Sequence, residues 1–396
     1  MVNVFYTFGE YGLGRGVKVY GVTANSPLNS AHLVIEARNS PGEPKRPGAT
    51  GKQVQPIPIL SGDTLEEVDG LALRSEEQLA AALDGSSQAP PAKVKVYRVE
   101  WITVLEVPRG RLLPGATPEE RLGIQRWTHG RDWRATGFYN HWTTYAESLQ
   151  LIASLALGLL VALPQKRSRN GMLLALAIAG MGIALLLSVT RASWLSLLVS
   201  AALITALSLS RRALLIVGAC ALPLVLTGLF VLHKKRNVGF FDQKDDSIAW
   251  RQKIWQEGFH LLTSNPRHLL VGIGMDSIKG HWREWGLFEN GRLPMGHMHS
   301  DYLQIALERG VPALIVWLIL LGVYARTLWR LRRRVPPENW IEKGVVLGAL
   351  GGLIGFMLSG VVHYNWGDSE VVMILYLIMG LSLVVEREAR GQIGEQ

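Results

Sequence analysis

From about residue 145 onward, polar positions nearly vanish in long blocks. Apolar runs cover 145–163, 171–189, 192–209 and 213–232. A polar stretch rich in Trp, His and charge follows over 233–311, and three more apolar runs cover 312–329, 343–362 and 369–385. Each run is long enough to cross a hydrocarbon core of ~30 Å as a helix. In lipid a chain must satisfy its own backbone hydrogen bonds, so helices are the expected form. Residues 1–140 hold no run of that length. There, alternation of apolar and polar positions predicts strands over Val17–Val22, Val94–Val99 and Ile102–Val107. Ser75 with Gln78 three residues on, then Leu79, Ala82 and Leu83, predicts a capped amphipathic helix. Asp69-Gly70 is a hairpin-turn signal. The pattern divides the chain into a mixed α/β domain at 1–110, a connector at 111–144, four spans over 145–232, a loop at 233–311, three spans over 312–385 and a tail at 386–396.

Charge then orients this layout. Only 18% of residues are charged, 48% are hydrophobic and the net charge is +9. A disordered chain would be richer in charge and poorer in aliphatics. Cys220 is the single cysteine, so a disulfide framework is excluded. Short cytoplasmic loops collect Lys and Arg. Lys166, Arg167 and Arg169 follow the first span, Arg211 and Arg212 the third, and Arg326, Arg330, Arg332, Arg333 and Arg334 the fifth. Arg387 and Arg390 follow the seventh. The short alternate connections are poor in positive charge: Arg191 stands alone between the second and third spans, and 363–368 carries no Lys or Arg. The C-terminus is therefore expected in the cytoplasm, with 233–311 and the N-terminal domain outside it. The positive charge records topology, and no nucleic-acid partner is expected. Met1-Val-Asn-Val-Phe-Tyr6 reads as neither a basic n-region nor an apolar h-region, so further helices are expected ahead of it.

The N-terminal domain resembles a PDZ domain of the bacterial kind over about residues 8–108. The matching residues are Tyr11-Gly-Leu-Gly14, Asn25-Ser-Pro27, Gly62-Asp63, Val68-Asp-Gly70 and the Ser75–Leu83 helix. The segment 36–58, with Pro41-Gly-Glu-Pro-Lys-Arg-Pro47, departs from the pattern and is expected to be a disordered insertion. The resemblance implies an extended peptide ligand added as a strand, its carboxylate over the amides of Gly12, Leu13 and Gly14. A small β domain that only spaces or stabilises is the other reading.

The chemistry-bearing residues lie at the end of the polar loop. His297-x-His299-x-Asp301 begins like a metal-binding signature, but Tyr302 stands where a further histidine would follow, and no metal is expected. A second reading has the histidines satisfied by neighbours at a water–membrane boundary. A third makes His299 a general base, since imidazole has an ordinary pKa near ~6.5. Arg191 lies alone between two apolar runs, and charge there is a functional hypothesis by default; its other reading is snorkelling to headgroups. Arg251 lies one helical turn before Trp255.

His299-Ser-Asp-Tyr-Leu-Gln304, followed by Glu308-Arg-Gly-Val-Pro312, resembles the signature of the O-antigen ligase and polymerase-type family. Arg134-Ala-Thr-Gly-Phe-Tyr-Asn-His141, Thr190-Arg-Ala-Ser193, Ser247 to Arg251 with Trp255, Pro266 and Gly272-Ile-Gly274 match in order. The resemblance covers about 130–390. It implies an α-helical polytopic, GT-C-like membrane glycosyltransferase in the bacterial inner membrane. Its donor would be a glycan on undecaprenyl pyrophosphate, and its acceptor a glycan or lipid hydroxyl among membrane lipids. No cofactor is implied. His299 would be the base, supported by His297 and Asp301, with Arg191, Arg251 and Arg134 on the pyrophosphate. Guanidinium matches phosphate oxygens in pairs and keeps its charge. Trp250, Trp282 and Trp285 are candidates for stacking on sugars, and for anchoring at the interface. His141 is not required by the resemblance.

Two rivals remain in view. A zinc intramembrane protease needs His-Glu-x-x-His, which is absent, and a serine one needs a histidine within a span to pair with Ser188 or Ser196. A transporter would carry Gly- or Pro-broken helices in matched halves; the Gly-rich 348–360 segment is suggestive but lacks a partner repeat. A non-catalytic scaffold that binds partners through the PDZ-like domain belongs with the transporter as the non-enzymatic alternative.

Overall fold

The computed structural model describes residues 15–35, 53–98, 101–131, 134–139, 141–208, 246–291, 293 and 295–394. They form two compact units, Met1–Trp133 and Arg134–Gln396.

The first unit is one antiparallel sheet. Its strands are β1 (Arg15–Tyr20), β2 (His32–Ile35), β3 (Gln53–Pro56), β4 (Thr64–Val68), β5 (Leu71–Ala72), β6 (Ala92–Arg98), β7 (Trp101–Val107) and β8 (Arg126–Arg131). Their order is β3-β2-β7-β6-β4-β1-β8, with β5 paired to β4. The expected strands are present, and β6 buries every second residue, as a half-covered strand should. Asp69 and Gly70 form the expected β4–β5 turn, with φ of 50° and 80°. The expected helix is α1 (Glu76–Leu83), burying Leu79, Ala80 and Leu83. Its start differs from expectation: Gln78 Oε1 accepts from the Arg74 N–H at 2.9 Å, and Ser75 makes no side-chain cap bond. The complete capping box is at α2 (Pro118–Leu122), where Thr117 and Glu120 cap each other's backbone. Asp63 holds Arg98 through two bonds of 2.7 and 2.6 Å, both side chains buried.

Two boundaries move. The segment expected to be disordered over 36–58 ends in β3, which pairs with β2 from Gln53 to Pro56. Part of the expected connector is β8, which pairs along β1 from Arg15 to Tyr20 and carries this unit beyond residue 110. β1 thus has a partner on each side, β4 and β8. A peptide added at β1 would have to displace β8. Gly12, Leu13 and Gly14, the residues expected to hold such a peptide, lie outside the described residues.

The second unit is helical: α3 (Trp142–Ala162), α4 (Arg169–Leu187), α5 (Arg191–Ser208), α6 (Asp246–Thr263), α7 (Pro266–Val271), α8 (Ser277–His281), α9 (Leu287–Gly291), α10 (Asp301–Arg334), α11 (Trp340–Ser359) and α12 (Ser369–Gly394). Among the described residues six of these, α3, α4, α5, α10, α11 and α12, are long and apolar enough to cross a membrane. The span expected at 213–232 lies outside the described residues. The chain is a polytopic helical membrane protein with a β-rich N-terminal unit.

The Gly-rich segment is not a broken helix. α11 is continuous, and its glycines let neighbours approach to backbone contact. A Cβ on Gly348 would meet Leu155 Cα at 2.6 Å, and one on Gly355 would meet Ser200 Oγ at 2.5 Å. α3 therefore runs antiparallel to α11, its C-terminal end beside α11's start. Basic side chains close the helix ends there. Lys166 Nζ donates to the carbonyls of Val161 and Leu163, and Lys343 Nζ to those of Arg332 and Val335. Cations suit the carbonyl ends of helices.

α10 breaks at Gly310, with φ 83° and ψ 161°. Pro312 has no N–H for the Glu308 carbonyl, and the break removes the donor that Leu307 would have. The glycine-rich turn after α7 supplies both: Ile273 N–H donates to Leu307 O at 2.9 Å, and Gly274 N–H to Glu308 O at 3.0 Å. The approach is so close that a Cβ on Gly310 would lie 2.4 Å from Leu270 O. Gly310→Ala is expected to destabilise the helical unit by about 1–3 kcal/mol, through strain at positive φ and the clash with α7. Thermal unfolding of the purified protein in detergent, with protease cleavage around 266–275, measures this; an unchanged profile would show that the break does not need glycine.

Candidate active site

The opposite end of the bundle from the lysine caps carries the polar cluster. His299 lies just ahead of α10, whose start is capped by Ser300. Its φ is 47°, a left-handed conformation that costs a residue with a Cβ free energy. α6 holds the preceding turn: Trp255 Nε1 donates to Met298 O at 2.9 Å, and Gly258 leaves room for the Met298 sulfur. From α10, Gln304 Oε1 accepts from the Met298 N–H at 2.8 Å. The backbone just before His299 is therefore held from two helices, α6 and α10.

The ring is packed by aromatics. Trp250 of α6 meets it edge-on at 5.2 Å, and the His297 ring lies 4.2 Å away. His297 Nδ1 accepts from the His299 N–H at 3.3 Å. Nε2 of His299 is buried and has no hydrogen-bond partner among the described residues. Burial pushes its pKa well below the usual imidazole range. His297, Arg251, His363 and His141 press in the same direction, because a second positive charge is disfavoured beside them. The group is therefore a neutral imidazole across the physiological range.

Asp301 begins α10. Its N–H donates to the carbonyls of Gly360 (2.8 Å) and His363 (3.1 Å), and its Oδ1 accepts from the Trp366 N–H at 2.9 Å. The carboxylate thus orders the loop between α11 and α12. A Cβ on Gly360 would lie 2.4 Å from Asp301 Oδ2. Among the described residues no three His, Cys, Asp or Glu side chains are grouped as a metal site would require.

Not every expected residue converges on His299. Arg251 and His297 do, and Trp250 joins them, whereas the Asp301 side chain turns to the Trp366 N–H. Arg134 packs over Trp142 at 5.0 Å, next to His141, and its Nε is buried without a hydrogen-bond partner among the described residues. Arg191 is the first residue of α5, after Val189 in the left-handed region with φ 54°. Val189 is β-branched, so this turn is strained. Trp282 is buried with Arg283 over its ring at 5.1 Å, and Trp285 lies beside His281 at 5.3 Å; their ring contacts stay within that segment.

Sequence reasoning passed over Glu147, His363 and Tyr364. Glu147 is the one acidic residue inside the first apolar run, and an intramembrane acid is a signal in itself. It is fully buried and accepts from Ser193 Oγ (2.9 Å), Ser359 Oγ (2.6 Å), His363 Nδ1 (2.8 Å) and Asn365 Nδ2 (3.4 Å). Tyr364 lies 5.8 Å from His297, and burial, with Glu308 nearby, pushes its phenol up to about 12. No signal in the sequence marks His363 or Tyr364, since their partners come from helices far away in the chain.

No curated protein matches the chain. A family model described as O-Antigen ligase matches residues 174–318, which hold Arg191, Arg251, His297, His299 and Asp301 and exclude Arg134, Glu147 and His363. With its apolar spans and this match, the helical unit is similar to the O-antigen ligase family over that segment.

Proposed function

We propose that the helical unit transfers a glycan from undecaprenyl pyrophosphate to an acceptor hydroxyl, as a ligase or a polymerase, without a metal. His299 Nε2 takes the hydroxyl proton as the acceptor oxygen attacks the anomeric carbon. The bond from that carbon to the pyrophosphate oxygen breaks, and undecaprenyl pyrophosphate leaves with the electron pair. Arg251, Arg191 and Arg134 hold its negative charge, which develops as the bond breaks. We place the site end of the bundle at the outer face of the bacterial inner membrane and the lysine-capped end in the cytoplasm, following the positive loops. The observation that carries the reading is His299 Nε2, an acceptor left open at the start of α10 and kept unprotonated by its surroundings.

His299→Ala in the full-length protein is expected to abolish glycan transfer, scored as loss of polymer or ligated product in cells that make the donor. Transfer at the parental rate would remove His299 as the base. A chelator is expected to leave transfer in washed membranes unchanged; loss restored by a divalent cation would overturn the metal-free reaction.

The protonation state has a separate readout. The folded pKa of His299 is depressed, so below ~6.5 the unfolded chain takes up a proton that the folded one refuses. Stability present above that pH is therefore lost as pH falls. His299→Gln is expected to flatten the fall in melting temperature of the detergent-purified protein between pH 7 and 5. An equally steep fall in the variant would mean that other groups set the slope.

A further inference from the structure

We infer that Glu147 is a positioning residue that ties the arginine side of this site to its base, with His363 as its arm toward His299. The inference rests on the glycan-transfer reading above. It concerns two residues outside the segment that matches the family model.

The Glu147 side chain lies on the first turns of α3 and is 1% exposed. A carboxylate in that position needs donors on both oxygens. Oε1 takes Ser193 and His363, at 2.9 and 2.8 Å, and Oε2 takes Ser359 and Asn365, at 2.6 and 3.4 Å. These donors come from three places in the chain. Ser193 is in the first turn of α5, two residues after Arg191. Ser359 is the last residue of α11, and His363 and Asn365 lie in the loop that follows.

The loop carries the link onward. The carbonyls of Gly360 and His363 receive the Asp301 N–H, and Asp301 returns a bond to the Trp366 N–H. Asp301 is two residues from His299. His363 also acts on His299 through its charge. One buried carboxylate therefore joins the turn that carries Arg191 to the turn that carries His299. Two groups that must meet the same substrate from different helices need such a tie, because misplacement by ~1 Å can cost about 10²-fold in rate. A simple helix–helix glue would not need its donors on the residues flanking both sides of a site.

The arms separate by substitution. Ser193→Ala removes only the bond on the Arg191 side, and His363→Gln only that on the His299 side. Glu147→Gln keeps the shape but sets an amide NH₂ against two of the four donors. The variants are measured in membranes carrying the full-length chain, with a radiolabelled undecaprenyl-pyrophosphate-linked O-antigen repeat as donor and the host's own acceptor. Ser193→Ala is expected to raise the donor KM several-fold with kcat near the parental value. His363→Gln is expected to lower kcat about 10- to 100-fold with donor KM within about threefold. Glu147→Gln is expected to show both changes, and Glu147→Gln/His363→Gln to be no slower than Glu147→Gln alone. If the Glu147 variant fails to accumulate, the two single-bond variants carry the same split.

Parental kinetics in His363→Gln and Ser193→Ala, with His299→Ala inactive, would overturn the tie and leave the glycan-transfer reading standing. Activity in His299→Ala would overturn that reading itself. Equal losses of activity and melting temperature in all variants, without the KM–kcat split, would make Glu147 a packing residue and overturn the inference.

Discussion

A carboxylate buried between apolar helices dictates what surrounds it. Glu147 is shut off from bulk solvent, so hydroxyl, imidazole and amide donors are brought to it. Those donors are Ser193, Ser359, His363 and Asn365, and they arrive from the start of α5, the end of α11 and the loop after it. Satisfying one acid therefore fixes where α5 begins, where α11 ends and how the next loop folds back over α10. The glycine face of α11 makes this possible, because only close helix approach lets short serine side chains reach across. Ser200 repeats the device one level deeper, donating to Gly351 O at 2.7 Å.

The second constraint is the break in α10. A proline inside a helix leaves a carbonyl without its donor, and in an apolar setting that group must be paired again. The turn after α7 pairs it, so the polar loop docks on the helix at Gly310 rather than drifting above it. That docking and the Trp255–Met298 bond hold the loop on both sides of the His299 turn. The left-handed backbone of His299 persists because its surroundings are this well determined.

These constraints explain what was legible in the sequence. The spans stand out because a bilayer imposes length and apolarity on every crossing helix, whatever its partners. The His299–Pro312 motif is legible because its residues act within one short stretch. Gly310 and Pro312 shape the helix that His299 precedes, and Glu308 receives the paired turn. Strand β8 was missed because Arg126-Trp-Thr-His-Gly-Arg131 lies at the sheet edge and shows no apolar alternation. His363 was missed for a different reason. It means nothing until α3 delivers Glu147, some two hundred residues earlier, to the same end of the bundle. Glu147 itself was visible as an acid in an apolar run, and the run's hydrophobic average concealed it.

The electrostatics of the site end are internally consistent with the proposed reaction. A pyrophosphate leaving group calls for fixed cations, and fixed cations oppose a protonated base beside them. Burial is the main reason His299 stays neutral, and Arg251, which the proposal sets on the anion, adds to it through its charge. In the proposed reaction a dianionic diphosphate bound there would offset the same positive field and make the imidazole easier to protonate. The base would then be stronger with the donor in place than without it, and proton uptake would be tied to the donor with no separate switch.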